Sequence, residues 1–214
     1  MSVTIDPTIG DKVTRWLRDA GAIRSGHFKL SSGLHSDRYC QCASALESPE
    51  IAGRLAEHMR HLLPSELRID TVLAPALGGV VWGYELARTL AVRSIFAERK
   101  PGETFALRRG FALRPGERVL IAEDVITTGK SVRELLPIVE ASNAECVGFA
   151  SIVDRSAGAF EAMDSNGSNL PAWALTRLEF RTWAEDDPPS DMAGVPVESP
   201  GSRHTARDGQ EVTR

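Results

Sequence analysis

Apolar residues at Ile9, Val13, Trp16 and Leu17 share one helical face, and Gly21 stands where such a helix must stop, so the spacing predicts a helix over residues 9–20. Pro49, suited to a first helical turn, opens a second helix reaching to about Leu63. Beyond it the pattern changes. Short apolar runs at Thr71–Ala74, Ser94–Ala97, from Val119 onward and at Cys146–Val153 read as strands, with helical stretches at about Val80–Leu90 and Lys130–Ala141. This alternation predicts an α/β fold with a mainly parallel central sheet flanked by helices, and ligands at the carboxyl ends of its strands. From Ala184 the apolar density falls, prolines stand at 188, 189, 196 and 200, and neither period survives. The expected organisation is one domain over 1–183 and a Pro-rich tail over 184–214 that hugs the surface or is disordered.

The run Val119-Leu120-Ile121-Ala122-Glu123-Asp124-Val125-Ile126-Thr127-Thr128-Gly129-Lys130-Ser131-Val132 sets two carboxylates and a small, hydroxyl-rich turn between a strand and a helix. Thr127, Thr128, Gly129 and Ser131 are small enough for an anion to reach the main chain, where free N–H groups and three hydroxyls can surround a phosphate. Glu123 and Asp124 would repel that phosphate if aimed at it; they suit ribose hydroxyls or hydrated Mg²⁺. Gly129-Lys130-Ser131 copies the end of the nucleoside-triphosphate loop G-x-x-x-x-G-K-[ST], but the place of its first glycine holds Asp124, and that reading fails. An acidic pair at a strand end is, alone, as consistent with a solvated turn. The whole run points to a phosphorylated sugar.

Glu123 to Ser131, with the apolar residues before them, resemble the phosphoribosyl pyrophosphate motif of type I phosphoribosyltransferases. Four further segments resemble the orotate phosphoribosyltransferases in that order: Gly26-His27-Phe28-Lys29-Leu30-Ser31-Ser32-Gly33-Leu34-His35-Ser36-Asp37-Arg38-Tyr39, Ala74-Pro75-Ala76-Leu77-Gly78-Gly79-Val80, Glu98-Arg99-Lys100, and Val153-Asp154-Arg155. The similarity spans roughly Ile9 to Arg155. It implies the type I fold with a small N-terminal hood element and a basic mobile loop, a homodimer, and transfer of ribose 5-phosphate from phosphoribosyl pyrophosphate to orotate. Mg²⁺ is implied as a cofactor bound mainly through the diphosphate, without a metal site of the protein's own. On this resemblance Glu123, Asp124 and Lys100 are the catalytic candidates. Arg99, Lys100, Glu123, Asp124, Val125, Ile126, Thr127, Thr128, Gly129, Lys130 and Ser131 bind phosphoribosyl pyrophosphate, and Thr127 and Arg155 bind orotate.

Residues 98–118 hold Arg99, Lys100, Arg108, Arg109, Arg114 and Arg118 against Glu98, Glu103 and Glu117, a local +3 in a chain of formal net charge −4. With Pro101-Gly102 and Pro115-Gly116 the segment reads as a two-stranded excursion or a mobile loop. A charge run alone is usually a solvated face; the resemblance makes it a loop that closes over the diphosphate. Departures from the family stand beside this. Residues 101–118 lack the family's second loop lysine and its histidine, leaving Arg108, Arg109 or Lys100 to serve. Ser31 replaces a lysine found in some members. Pro188-Pro189-Ser190-Asp191-Met192-Ala193-Gly194 replaces a paired-cysteine element.

The net negative charge argues against nucleic acid or an anionic membrane as the main partner. Without an 18-residue apolar span or a signal pattern the expected location is cytosolic, with Cys40, Cys42 and Cys146 as reduced thiols. His27 and His35 have no ligand spacing and are expected at the surface or hydrogen-bonded. Two readings compete with orotate transfer: transfer to another base by the same phosphate machinery, and a phosphoribosyl pyrophosphate-binding regulator that has lost catalysis.

Overall fold

A computed structural model describes residues 3–30, 32–100 and 102–200. In chain order the elements are α1 (Pro7–Asp19), β1 (Ile23–Lys29), β2 (His35–Cys40), α2 (Ala43–Leu46), α3 (Pro49–Leu62), β3 (Thr71–Pro75), α4 (Gly78–Leu90), β4 (Arg93–Glu98) and β5 (Ala106–Leu107). There follow β6 (Arg118–Ile126), α5 (Lys130–Arg133), α6 (Leu136–Ala141), β7 (Glu145–Asp154), β8 (Ala172–Arg177), β9 (Thr182–Trp183) and β10 (Val197–Glu198).

The described residues of 3–22 and 41–179 form one compact unit. Its six-stranded sheet has the order β5-β4-β3-β6-β7-β8, parallel throughout except for the antiparallel return of β5 on β4. That return is the structural form of the expected excursion after Glu98. Central strands covered on both faces must be apolar on both, and β3 and the Val119–Glu123 part of β6 are buried at every position. Leu73, Ile95, Val119, Ile121, Val132, Leu135, Val139 and Phe149 make one continuous core. α1 begins where the Asp6 carboxylate accepts the Thr8 N–H at 2.9 Å, and α3 where the Ser48 hydroxyl accepts from Ile51 N–H at 3.4 Å, each followed by proline in the first turn. The single helix expected over 130–141 is two. Pro137, in the first turn of α6, has no N–H to offer the preceding turn, and the helix breaks at Glu134–Leu135.

The described residues of 23–40 and 180–200 form the second unit. Its four-stranded sheet, β10-β1-β2-β9, joins residues far apart in sequence. Trp183 lies inside β9, and Val197–Glu198 pairs in parallel with His27–Phe28, within a stretch where the sequence shows no strand period. Two-residue strands are too short to display one. Of the expected tail, residues 201–214 lie outside the described residues, as does Ser31. His27 and His35 are both buried. His27 Nδ1 lies 3.1 Å from the Val195 carbonyl, which can only accept, and His27 Nε2 lies 2.7 Å from His35 Nδ1.

Candidate active site

β4, β3, β6 and β7 deliver their carboxyl ends side by side. From β3 the chain moves outward to β4 on one side, and later sets β6 and β7 on the other. Strand order therefore reverses between β3 and β6, the place where open α/β sheets form a ligand crevice. Glu123 and Asp124 stand there, facing the loop from β3 into α4. A Cβ added to Gly79 would come 3.1 Å from Glu123 Oε1 and 3.1 Å from Pro75 Cδ, and one on Gly78 would come 3.3 Å from Asp124 Oδ1. The two glycines leave room for both carboxyls.

Glu123 is 9% exposed. Its burial, and then the charge of Asp124, push the Glu123 carboxyl well above the usual range. Burial also raises Asp124, while hydrogen bonds from the Glu123 side chain and from Val125 N–H, at 2.9 Å, work against that rise. Both carboxyls are thus harder to ionise than exposed acids. Behind them, the Cys42 thiol lies 4.0 Å from the Asp124 carbonyl oxygen.

The turn after β6 owes its shape to Gly129 at φ +71°, where a Cβ would sit 2.2 Å from the Phe160 ring. Phe160 is buried and packs edge-on against Phe149 with ring centres 5.5 Å apart. Arg133 braces the turn by donating to the Thr128 carbonyl at 2.5 Å, and Lys130 N–H donates to Thr128 Oγ1 at 3.3 Å. Thr127, Thr128 and Lys130 are exposed, and Glu123 with Val125–Val132 lines a small cavity of about 50 Å³. A larger groove of about 550 Å³ between α1, α3 and α4, lined by Lys12, Trp16 and Arg54 among others, contains neither the acid pair nor the glycines. Arg155 N–H donates to the Ile126 carbonyl at 2.7 Å, which sets Arg155 beside Thr127 across the ends of β6 and β7.

The basic residues are held differently. Arg99 donates to Glu134 at 2.8 Å, Arg108 to Glu103 at 2.7 Å and Arg109 to Glu98 at 2.8 and 2.9 Å. Lys100 Nζ lies 3.9 Å from Glu103, its side chain 67% exposed. The structure therefore brings Glu123, Asp124, Val125, Ile126, Thr127, Thr128, Gly129, Lys130, Ser131 and Arg155 into one region. Arg99 reaches its edge, and Lys100 remains with its own loop. Phe160 and Arg133 were not among the residues the sequence singles out: an aromatic in an irregular connection and an arginine on a helix carry no motif.

The family model for the phosphoribosyl transferase domain matches residues 44–174. A protein of Erythrobacter litoralis named orotate phosphoribosyltransferase is 46% identical over 195 residues, covering 90% of this chain and 97% of its own length. The chain belongs to the orotate phosphoribosyltransferase family. Two solved structures share its fold. Orotate phosphoribosyltransferase of Mycobacterium tuberculosis superposes with a TM-score of 0.62 at 23% identity over 78% of this chain and 97% of that one. Adenine phosphoribosyltransferase of Trypanosoma brucei gives 0.61 at 17% identity over 82% of each. The type I fold is thus common to enzymes of different bases, and the fold does not choose the base.

Proposed function

We propose that this chain transfers ribose 5-phosphate from phosphoribosyl pyrophosphate to orotate, giving orotidine 5′-monophosphate and pyrophosphate. The meeting of Glu123 and Asp124 with Gly78 and Gly79 at the reversal of strand order carries this reading, and the near-full-length relative supplies the choice of base. A ring nitrogen of orotate forms a bond to C1 of the ribose as the bond from C1 to the diphosphate oxygen breaks, and positive charge gathers on the sugar ring. A carboxyl at the place of Asp124 suits the ribose hydroxyls, and in its charged form that positive charge. In its protonated form Glu123, whose burial favours that form, donates to a hydroxyl without adding repulsion. The amides and hydroxyls of Thr127 to Ser131 receive the 5′-phosphate, Arg99 and Lys100 receive the diphosphate, and Thr127 with Arg155 receives orotate, whose carboxylate suits a guanidinium.

Among the described residues no group of three or more His, Cys, Asp or Glu could hold a metal ion. The donor set is a carboxyl pair, which fits Mg²⁺ arriving with a diphosphate and keeping its waters, since Mg²⁺ is commonly bound through one or two carboxylates plus substrate phosphates. When bound, it would neutralise the departing diphosphate. In this reading the enzyme works as a homodimer in the cytosol. Leu77, just before α4, and Val81 and Tyr84 on it, at 85, 51 and 63% exposure, offer apolar surface to a second copy. The three free cysteines suit a reducing compartment. No helix of the described residues is long and apolar enough to cross a membrane.

The test is loss of orotate absorbance with phosphoribosyl pyrophosphate and Mg²⁺, with uracil and adenine in parallel. Turnover with orotate alone is expected. Turnover with another base would reassign the substrate, and binding of phosphoribosyl pyrophosphate without any turnover would favour a regulator.

A further inference from the structure

We infer that Glu134 is a positioning residue that fixes the Arg99 guanidinium beside the phosphate turn. The inference deepens the proposed function and rests on its reading of Arg99 as a diphosphate contact. Arg99 follows β4 and Glu134 follows α5, 35 positions apart. The Glu134 carboxylate accepts from Arg99 at 2.8 Å through Oε2, while Oε1 lies 3.8 Å from Lys130 Nζ. The Arg99 guanidinium also lies 4.7 Å over the ring of Phe105, a buried residue of the core. A planar cation held over a ring and gripped at its edge by a carboxylate has lost most of its rotamer freedom before any ligand arrives.

The other cations of this segment have no carboxylate from the phosphate turn. Arg108 and Lys100 rest on Glu103 of their own loop, and Arg109 pairs with Glu98, the last residue of β4, with its guanidinium 5.9 Å over the ring of Phe96. Among the described residues the Arg99–Glu134 pair is the one ion pair joining residues 98–109 to the turn at 127–134. Glu134 is itself tied to the turn: its N–H donates to the Lys130 carbonyl at 3.0 Å, in the first helical residues after Gly129. Whatever orders the turn also orders the carboxylate that orients Arg99.

Positioning and simple charge make opposite predictions. Removing an acid from a site for a polyanion should tighten anion binding if Glu134 only competes for Arg99. If it orients Arg99, the same change weakens binding. The experiment measures Kd for phosphoribosyl pyrophosphate and the kinetics of the full chain for Glu134→Gln, Arg99→Ala and the double variant, with Tm as a check on folding.

Expected for Glu134→Gln is a rise of about 10-fold in Kd and KM for phosphoribosyl pyrophosphate, with kcat within about 2-fold and the orotate KM unchanged. In the Arg99→Ala background the same substitution should have no further effect. An unchanged or lowered Kd for Glu134→Gln, or an equal rise with Arg99 absent, overturns the role of Glu134. If Arg99→Ala leaves Kd unchanged, the reading of Arg99 itself fails instead. Because Kd needs no turnover, a chain inactive with orotate would still decide the matter.

Discussion

The acidic and basic parts of the candidate site are held in opposite ways. Glu123 and Asp124 sit at the end of a buried central strand, with main-chain N–H groups and two glycines around them. Arg108, Arg109 and Lys100 sit on an exposed segment after β4, Arg108 and Lys100 resting on Glu103 of that segment and Arg109 on Glu98 at the end of β4. Surface ion pairs contribute little in water and exchange partners readily. The buried pair is costly to ionise and fixed in place. A sugar whose ring gains charge calls for such fixed groups, whereas a diphosphate that must enter and leave calls for cations that can let go. In the proposed function, the difference in burial is the difference between pre-built and recruitable parts of one site.

The comparison breaks first at its buried side. Asp124→Asn should lower kcat/KM by about 10²–10³-fold with little change in Tm, measured by orotate absorbance and thermal melting. An unaltered kcat/KM would remove the buried pair from the chemistry. Arg155→Ala, at the neighbouring strand end, should raise the orotate KM by about 10- to 100-fold, the cost of losing a charge-assisted contact, and the phosphoribosyl pyrophosphate KM far less. Equal loss of both would cancel its assignment to orotate.

Glu123→Gln sharpens the contrast through stability. The folded protein holds the Glu123 carboxyl above its usual range, so as pH rises the unfolded chain releases that proton first, and stability falls above about pH 4.5. Glutamine removes this loss. The variant should melt higher than the parent at pH 8, nearly level with it at pH 4, and turn over more slowly. A gap that grows toward acid would show the carboxyl to be stabilised in its charged form. The smallest effect belongs to the exposed side: Arg109→Ala, which loses an exposed pairing with Glu98 and a contact over Phe96, should leave Tm within about 2 °C of the parent.

Periodicity and turn chemistry were enough to place α1, α3, β3, α4, β4, β6 and β7 within a residue or two, because each is long enough to display its period and most begin or end at Pro or Gly. The acid pair and the phosphate turn were equally legible, since a whole ligand subsite is contiguous in the chain. The break at Pro137 was legible in principle, yet a continuous apolar face concealed it. The tertiary structure alone decided what depends on distant partners. β8 reads as a strand only once β7 lies beside it, and β9 and β10 are two-residue strands made by pairing with β2 and β1. The contacts of Gly78 and Gly79 with the carboxyls, of Phe160 with Gly129 and of Glu134 with Arg99 join residues from 31 to 46 positions apart. A sequence states what each segment prefers; which carboxylate meets which cation follows from the crossings of the chain.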